Sequence, residues 1–208
     1  MRKSFENVKS ITLRGRRYRV YLVTRMGTED NPIYGLCSPP SEKGRCISYY
    51  IGLKGERRLD VLIHEMLHAC FWDIAEEGIQ FGATSIAKAL WRMGYRLSTD
   101  EEVPVVPPDV DYVTIRGRRY RFERVSTKEV WFHAGYHTWT SAPHEKNKFM
   151  RIKKGIKKET ELQAILKSLI TACYWDMDSE SVRETAKDIG HALWRIGYRR
   201  RAKDIDSK

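Results

Sequence analysis

Arg14-Gly15-Arg16-Arg17-Tyr18-Arg19 recurs without change as Arg116-Gly117-Arg118-Arg119-Tyr120-Arg121. Ala89-Leu90-Trp91-Arg92-Met93-Gly94-Tyr95-Arg96 recurs as Ala192-Leu193-Trp194-Arg195-Ile196-Gly197-Tyr198-Arg199, with one Met-to-Ile change. Between them, Ala69-Cys70-Phe71-Trp72-Asp73 answers to Ala172-Cys173-Tyr174-Trp175-Asp176. The offset is 102 residues for the first pair and 103 for the others. Matches in order at a nearly constant offset mark a repeated unit, here of about 90 residues. The 208 residues then divide into a unit at 8–97, a joining segment at 98–111 and a second unit at 112–201. Asp100, Glu101 and Glu102 with Pro104, Pro107 and Pro108 give the joining segment the composition of an extended, solvated linker.

Outward from these stretches, each unit has the same pattern. Ile11 and Leu13, then Tyr18, Val20 and Leu22, alternate across the Arg-Gly turn, as Val113, Ile115, Tyr120 and Phe122 do, which predicts a β-hairpin opening each unit. A loop rich in Gly, Pro and Ser follows, then a third strand at 47–51 and its copy at 149–152. Leu59, Leu62, Ile63, Met66 and Cys70 recur at helical spacing and are matched by Leu162, Ile165, Leu166, Leu169 and Cys173, which predicts a helix over 59–72. A second helix is expected over 76–93, with Ile79, Ala83, Ile86 and Leu90 inward, matched by Val182, Ala186, Ile189 and Leu193 and stopped by Gly94 or Gly197. The expected fold is α+β: two tandem repeats, each a small three-stranded antiparallel sheet followed by two helices.

Composition narrows the setting. With 41% hydrophobic residues, six Trp, eleven Tyr and six Phe, the chain has ample material for a core, which excludes wholesale disorder. No run approaches the ~18 apolar residues of a membrane span, and the first residues lead into no apolar secretory segment, so no membrane association is expected. Four cysteines, Cys37, Cys46, Cys70 and Cys173, are too few and too irregular for a disulfide scaffold, which points to a reducing cytoplasm. The formal charge of +11 is uneven: residues 1–104 carry 16 Lys and Arg against 13 Asp and Glu, and the remainder 22 against 14. The basic second repeat makes nucleic acid or an acidic protein a candidate partner. Arg116, Arg118, Arg119 and Arg121 of its hairpin are the residues to grip phosphate, with Tyr120 stacking on a base.

The first helix contains His64-Glu65-Met66-Leu67-His68. Two His at i and i+4 lie roughly 40° apart on a helical wheel, so both rings can reach one tetrahedral Zn²⁺. The pair lies off the apolar stripe, toward a cleft or solvent, with Glu65 beside it. In that position Glu65 is the candidate general base for a zinc-activated water. The second repeat acts as an internal control: at the offset of 103, His64, Glu65 and His68 become Lys167, Ser168 and Thr171, while the apolar stripe persists. Loss of all three together suggests one shared purpose. A third ligand is sought among carboxylates, since no His occurs between Ala69 and Trp131. Glu76 lies on the inward stripe of the second helix and becomes Ser179 in the copy, whereas Asp73 and Glu77 persist as Asp176 and Glu180. Glu76 is therefore the favoured ligand, with Asp73 and Glu77 read as helix-start or capping residues. Cys37 and Cys46, and His133, His137 and His144, are read as ordinary loop residues, and Tyr49 and Tyr50 as packing residues of the third strand.

His64-Glu65-Met66-Leu67-His68-Ala69 resembles the active-site helix of the zincin metallopeptidases, and its Met and trailing Ala are similar to SprT/Spartan-like proteases. A Glu on the following helix is more similar to the gluzincins and ImmA/IrrE-type peptidases. The resemblance covers about a fifth of the chain. It implies a minimal zincin-like fold and a zinc-dependent endopeptidase acting on a protein or peptide, with His64 and His68 as ligands, Glu65 as base and an edge strand holding the substrate. The second repeat would then be a non-catalytic scaffold or docking module. The alternatives are a basic nucleic-acid-binding or structural protein with a non-catalytic zinc, and a decoy or inhibitor built on a peptidase-like fold.

Overall fold

The computed structural model describes residues 9–97, 110–126 and 137–200. Most of the joining segment, 98–109, lies outside the described residues, as does His133. Among the described residues the chain is α+β with four helices, and none of them is long and apolar enough to cross a membrane.

The alternating apolar residues of the first hairpin form β1 (Ser10–Leu13) and β2 (Arg16–Val23). The turn between them places Arg14 at φ 49° and Gly15 at φ 71°. Two successive positive φ values define the hairpin turn whose twist matches that of the strands, and Gly15 takes the left-handed position without strain. After β3 (Gly35–Cys37) and β4 (Cys46–Tyr50) come α1 (Gly55–Cys70), α2 (Glu76–Arg92) and β5 (Tyr95–Leu97). The second half passes through the same order: β6 (Tyr112–Ile115), β7 (Arg118–Val125), β8 (Thr138–Thr140), β9 (Phe149–Lys153), α3 (Lys158–Cys173), α4 (Ser179–Ile196) and β10 (Tyr198–Arg200).

The sheets differ from the expected three antiparallel strands. Each has four, in the orders β1-β2-β4-β3 and β6-β7-β9-β8. β2 pairs with β4 in parallel, and β7 with β9 likewise, while β3 and β8 run antiparallel along the outer edge. The reason lies in the loop after the hairpin. It carries the chain beyond the position of β4 and back, so β3 is laid down first at the edge, and β4 then enters between β3 and β2 in the direction of β2. A three-residue strand with a Gly is too short to show alternation.

Leu59, Leu62, Ile63 and Met66 of α1 and Ile79, Ala83, Ile86 and Leu90 of α2 are buried, as are their counterparts in α3 and α4. These residues belong to a single apolar cluster that includes side chains from both halves. Contacts cross between them at several points. β5 and β10 pair antiparallel, with Tyr95 and Tyr198 buried. The Arg14 backbone N–H donates to Asp188 of α4 at 2.7 Å and its guanidinium to the Ser181 carbonyl at 3.2 Å. Reciprocally, the Arg116 N–H donates to Ser85 of α2 at 3.4 Å, while its guanidinium donates within its own half to the Cys173 carbonyl of α3 at 2.9 Å. Each hairpin tip is thus docked on the helices of the other half. The second quoted stretch also finds its reason here: Gly94 and Gly197 stop the helices at φ 88° and 113°, and Arg96 and Arg199 stack on Trp91 and Trp194, at 3.4 and 3.6 Å from the ring centroids.

Candidate metal centre

Burial of the apolar stripe of α1 fixes the rotation of that helix, and so brings His64 and His68 to its flank, where both side chains are largely covered. A turn at 71–75, closed by the Ile74 N–H on the Phe71 carbonyl, reverses the chain. α2 therefore begins over the last turns of α1, and its first residue, Glu76, reaches back to the rings. His64 Nε2 lies 3.0 Å from His68 Nε2 and 3.2 Å from Glu76 Oε1, and His68 Nε2 lies 2.9 Å from Glu76 Oε2. A tetrahedral Zn²⁺ with nitrogen and oxygen ligands at about 2.1 Å holds them about 3.4 Å apart. The three observed separations are shorter than that by up to about half an ångström, which a small outward movement of the side chains closes, so these residues fit the ion. Burial holds His64 below the usual imidazole value, against the opposing pull of the Glu76 charge and with the help of His68. Neutral imidazole is the ligating form.

Glu65 lies beside the three donors without belonging to them. It is buried, 6% exposed, and burial, with a smaller contribution from Glu76, pushes its carboxyl up to about 8. Its neighbour is the edge strand: a Cβ at Gly35 of β3 would lie 2.3 Å from Glu65 Oε1 and 2.7 Å from Val61 Cγ1, so only glycine lets the strand come this close to the carboxylate. Tyr34, Gly35, Asp60, Val61 and Gln80 join His64, Glu65 and Glu76 around a pocket of about 210 Å³. Arg57 stacks on the Tyr34 ring at 4.1 Å. The Asp60 carboxylate accepts from Thr84 Oγ1, which in turn accepts from Gln80, and burial raises the Asp60 carboxyl above its ordinary value.

His64, His68 and Glu76 are thus brought together in the arrangement their spacing suggested. Asp73 and Glu77 are outside the cluster, and Asp73 does not cap α2, whose N-cap is Ala75 with no side-chain hydrogen bond. Tyr49 is fully buried, and Tyr50 makes an edge contact with Tyr34. Five lining residues, Tyr34, Gly35, Asp60, Val61 and Gln80, were not singled out by sequence. Asp60 precedes His64 by four residues, and Gln80 follows Glu76 by four, so helical spacing could have found both. Tyr34 and Gly35 gave no signal, because the segment reads as loop.

At the corresponding positions in the second half the polar groups are satisfied within the fold. The Ser168 hydroxyl is buried against Thr138 of β8, and Thr171 Oγ1 donates to the Lys167 carbonyl at 2.8 Å. Ser179 opens α4, whose N-cap Asp178 accepts from the Ser181 N–H. The four arginines of the second hairpin separate. Arg116 stays exposed while its guanidinium donates to the Cys173 carbonyl, and Arg118 has the same strand parity as buried Tyr120. Arg119 lies over the Tyr112 ring at 3.9 Å, and Arg121 pairs with Glu123 at 3.1 Å, both on the solvent face of the sheet. Tyr120 is fully buried, so it cannot stack on a base.

No family model matches the chain, and neither a curated protein nor a solved structure matches it at a significant level.

Proposed function

We propose that the chain is a zinc-dependent endopeptidase, with its active centre in the first half and a second half that is a diverged tandem copy serving as scaffold. The observation that carries this reading is the convergence of His64, His68 and Glu76 to 2.9–3.2 Å, with Glu65 buried beside them and offering no donor to the cluster. A bracing zinc is closed by four protein ligands, whereas hydrolytic sites keep three and an open position. Among the described residues the cluster has three, on the wall of a pocket. The shared order of elements in the two halves supports the duplication, as does the joint replacement of His64, Glu65, His68 and Glu76 by Lys167, Ser168, Thr171 and Ser179. All four described cysteines are free thiols, which supports a reducing cytoplasm as the compartment.

Zn²⁺ bound here supplies Lewis acidity, polarising a carbonyl and lowering the pKa of a water. Glu65 takes the proton of the attacking water and passes it to the leaving amine. β3, at the edge of the sheet and against Glu65, receives the substrate peptide as an added strand, main chain to main chain. The walls formed by Tyr34, Asp60 and Gln80 orient what enters.

Protein prepared without added zinc should contain about one zinc per chain by metal analysis. Zinc at about 100 times its Kd should stabilise the metal-stripped fold by about 2.7 kcal/mol, raising the thermal midpoint by about 5–10 °C. His68→Ala should abolish both the metal and the shift. A wild-type chain without zinc and without a shift would remove the basis of the proposal. Gly35→Ala tests the position of the base: the added methyl displaces the Glu65 carboxylate, and kcat should fall about tenfold while zinc content stays unchanged. An unaltered kcat would show that the contact between β3 and Glu65 has no part in the chemistry.

A further inference from the structure

The solvent face of the second sheet is built unlike that of the first. In β6, β7 and β9 the register aligns Tyr112, Arg121 and Phe149 across one rung. The next rung aligns Glu123, Arg151 and Trp139 across β7, β9 and β8. The same rungs of the first sheet carry Ser10, Arg19 and Cys46, then Tyr21, Ser48 and Leu36. Where the first half has Ser10, Cys46, Ser48 and Leu36, the second has Tyr112, Phe149, Arg151 and Trp139. Three aromatic rings and an arginine stand on this face where the first half has small or aliphatic side chains, while Glu123 stands where the first half has Tyr21.

Two of these rings are exposed, Phe149 is half-buried, and all three are held in place. Trp139 is 51% exposed and Tyr112 39%. Trp139 packs edge-on against Phe149, with centroids 5.7 Å apart. Arg151 lies over the Phe149 ring at 4.3 Å, and Arg119 over Tyr112 at 3.9 Å. Glu123 accepts from Arg151 at 2.7 Å and lies 3.1 Å from Arg121, which fixes both guanidiniums along the strands. A groove of about 540 Å³ runs over this face, and Arg119, Arg121, Arg151, Lys146 and Lys148 outnumber Glu123 along it. Five cations stand on this face beside two exposed rings and a half-buried one.

We infer that this face binds single-stranded nucleic acid, with the bases stacked on Trp139, Phe149 and Tyr112 and the phosphates held by Arg119, Arg121, Arg151 and the Lys146/Lys148 loop. Stacking requires an exposed base face, which a duplex does not offer, and positive charge along the same track neutralises the backbone. An acidic protein would satisfy the charge and leave the aromatic rungs without a role. The inference is independent of the metal centre.

The test is fluorescence anisotropy of the full chain with a labelled oligonucleotide of about 12 nucleotides, as single-stranded DNA, as RNA of the same sequence and as a DNA duplex. Binding to either single strand at least about tenfold tighter than to the duplex is expected, and the stronger of the two identifies the sugar that is recognised. The log of affinity should fall linearly with log salt, with a slope of about −3 for four or five phosphates. Trp139→Leu and Phe149→Cys import the residues of the first half, so the fold should tolerate them, and each should weaken binding about tenfold with the slope unchanged. Arg151→Ser should weaken it and flatten the slope by about 0.7. Arg19→Ser, on the first sheet, and Glu65→Gln should bind as wild type does. Equal affinity for the duplex, wild-type binding by Trp139→Leu or Phe149→Cys with unchanged thermal midpoints, or tighter binding of polyglutamate than of either single strand would each overturn the inference.

Discussion

Glu65→Gln should cut peptide hydrolysis by about 10²- to 10⁴-fold while leaving zinc content and affinity at wild-type levels. The two halves of that expectation have separate reasons. Glu65 contributes no atom to the cluster of His64, His68 and Glu76, so the amide removes no ligand. It does remove the buried carboxylate that lies next to the cluster on the pocket wall and is placed to accept a proton and return it. Folding should be spared, because burial already favours a neutral group at this position and the amide has the same shape. The measurement is cleavage of an unstructured protein substrate beside metal analysis of the same sample. Wild-type turnover in the variant would leave a metal site without hydrolysis, and the bracing role would take its place. The opposite change, Glu76→Gln, should reduce zinc affinity and turnover together, which distinguishes a lost ligand from a lost base.

What could be read from the chain, and what could not, divides by range. The hairpins, α1 and α2 are written in periods of 2 and 3.6 that involve only near neighbours, and Gly94 and Gly197 mark the ends of α2 and α4. The His pair belongs to the same class, since its geometry is that of one helical turn. Glu76 needed more: within a single unit it is one of three nearby carboxylates, and comparison with Ser179, Asp176 and Glu180 separated it from Asp73 and Glu77. β3, β5, β8 and β10 were missed because each is three residues long and is defined by its partner. Tyr95 pairs with Arg200, more than a hundred residues away, and no local pattern records that. The placement of β4 between β2 and β3 is likewise a matter of path, and with it went the pocket residues Tyr34, just before β3, and Gly35, its first residue. The hairpin arginines misled for a related reason. Alternation identifies the strand, but which parity faces the helices and which tip docks on the other half are tertiary facts, and these tied the Arg116 guanidinium to the Cys173 carbonyl and left Arg119 and Arg121 on the solvent face.

Tyr174→Ala should destabilise the whole chain by about 3–5 kcal/mol, a large part of the 5–15 kcal/mol typical of a native protein. Tyr174 ends α3 in the second half, yet its surroundings are in the first. Its ring packs on Phe71 with centroids 5.7 Å apart, and its hydroxyl donates to the Gly78 carbonyl of α2 at 3.1 Å. A Cβ at Gly82 would come within 2.6 Å of Tyr174 Cζ, so α2 has given up a side chain to let this ring enter. Truncation therefore opens a cavity between α2 and α3 and loosens the helix that carries Glu76, whereas Tyr174→Phe keeps the ring, loses one hydrogen bond and should cost only about 1 kcal/mol. Because one apolar cluster includes both halves, unfolding followed by circular dichroism and unfolding followed by zinc release should coincide in the wild type and shift downward together by about 10 °C in Tyr174→Ala. If zinc release kept its wild-type midpoint while the circular dichroism transition moved, the halves would be folding independently. The crossing contacts of Arg14, Arg116 and Tyr174 would then be ornaments of two separate cores, and the second half could be removed without harm to the metal centre.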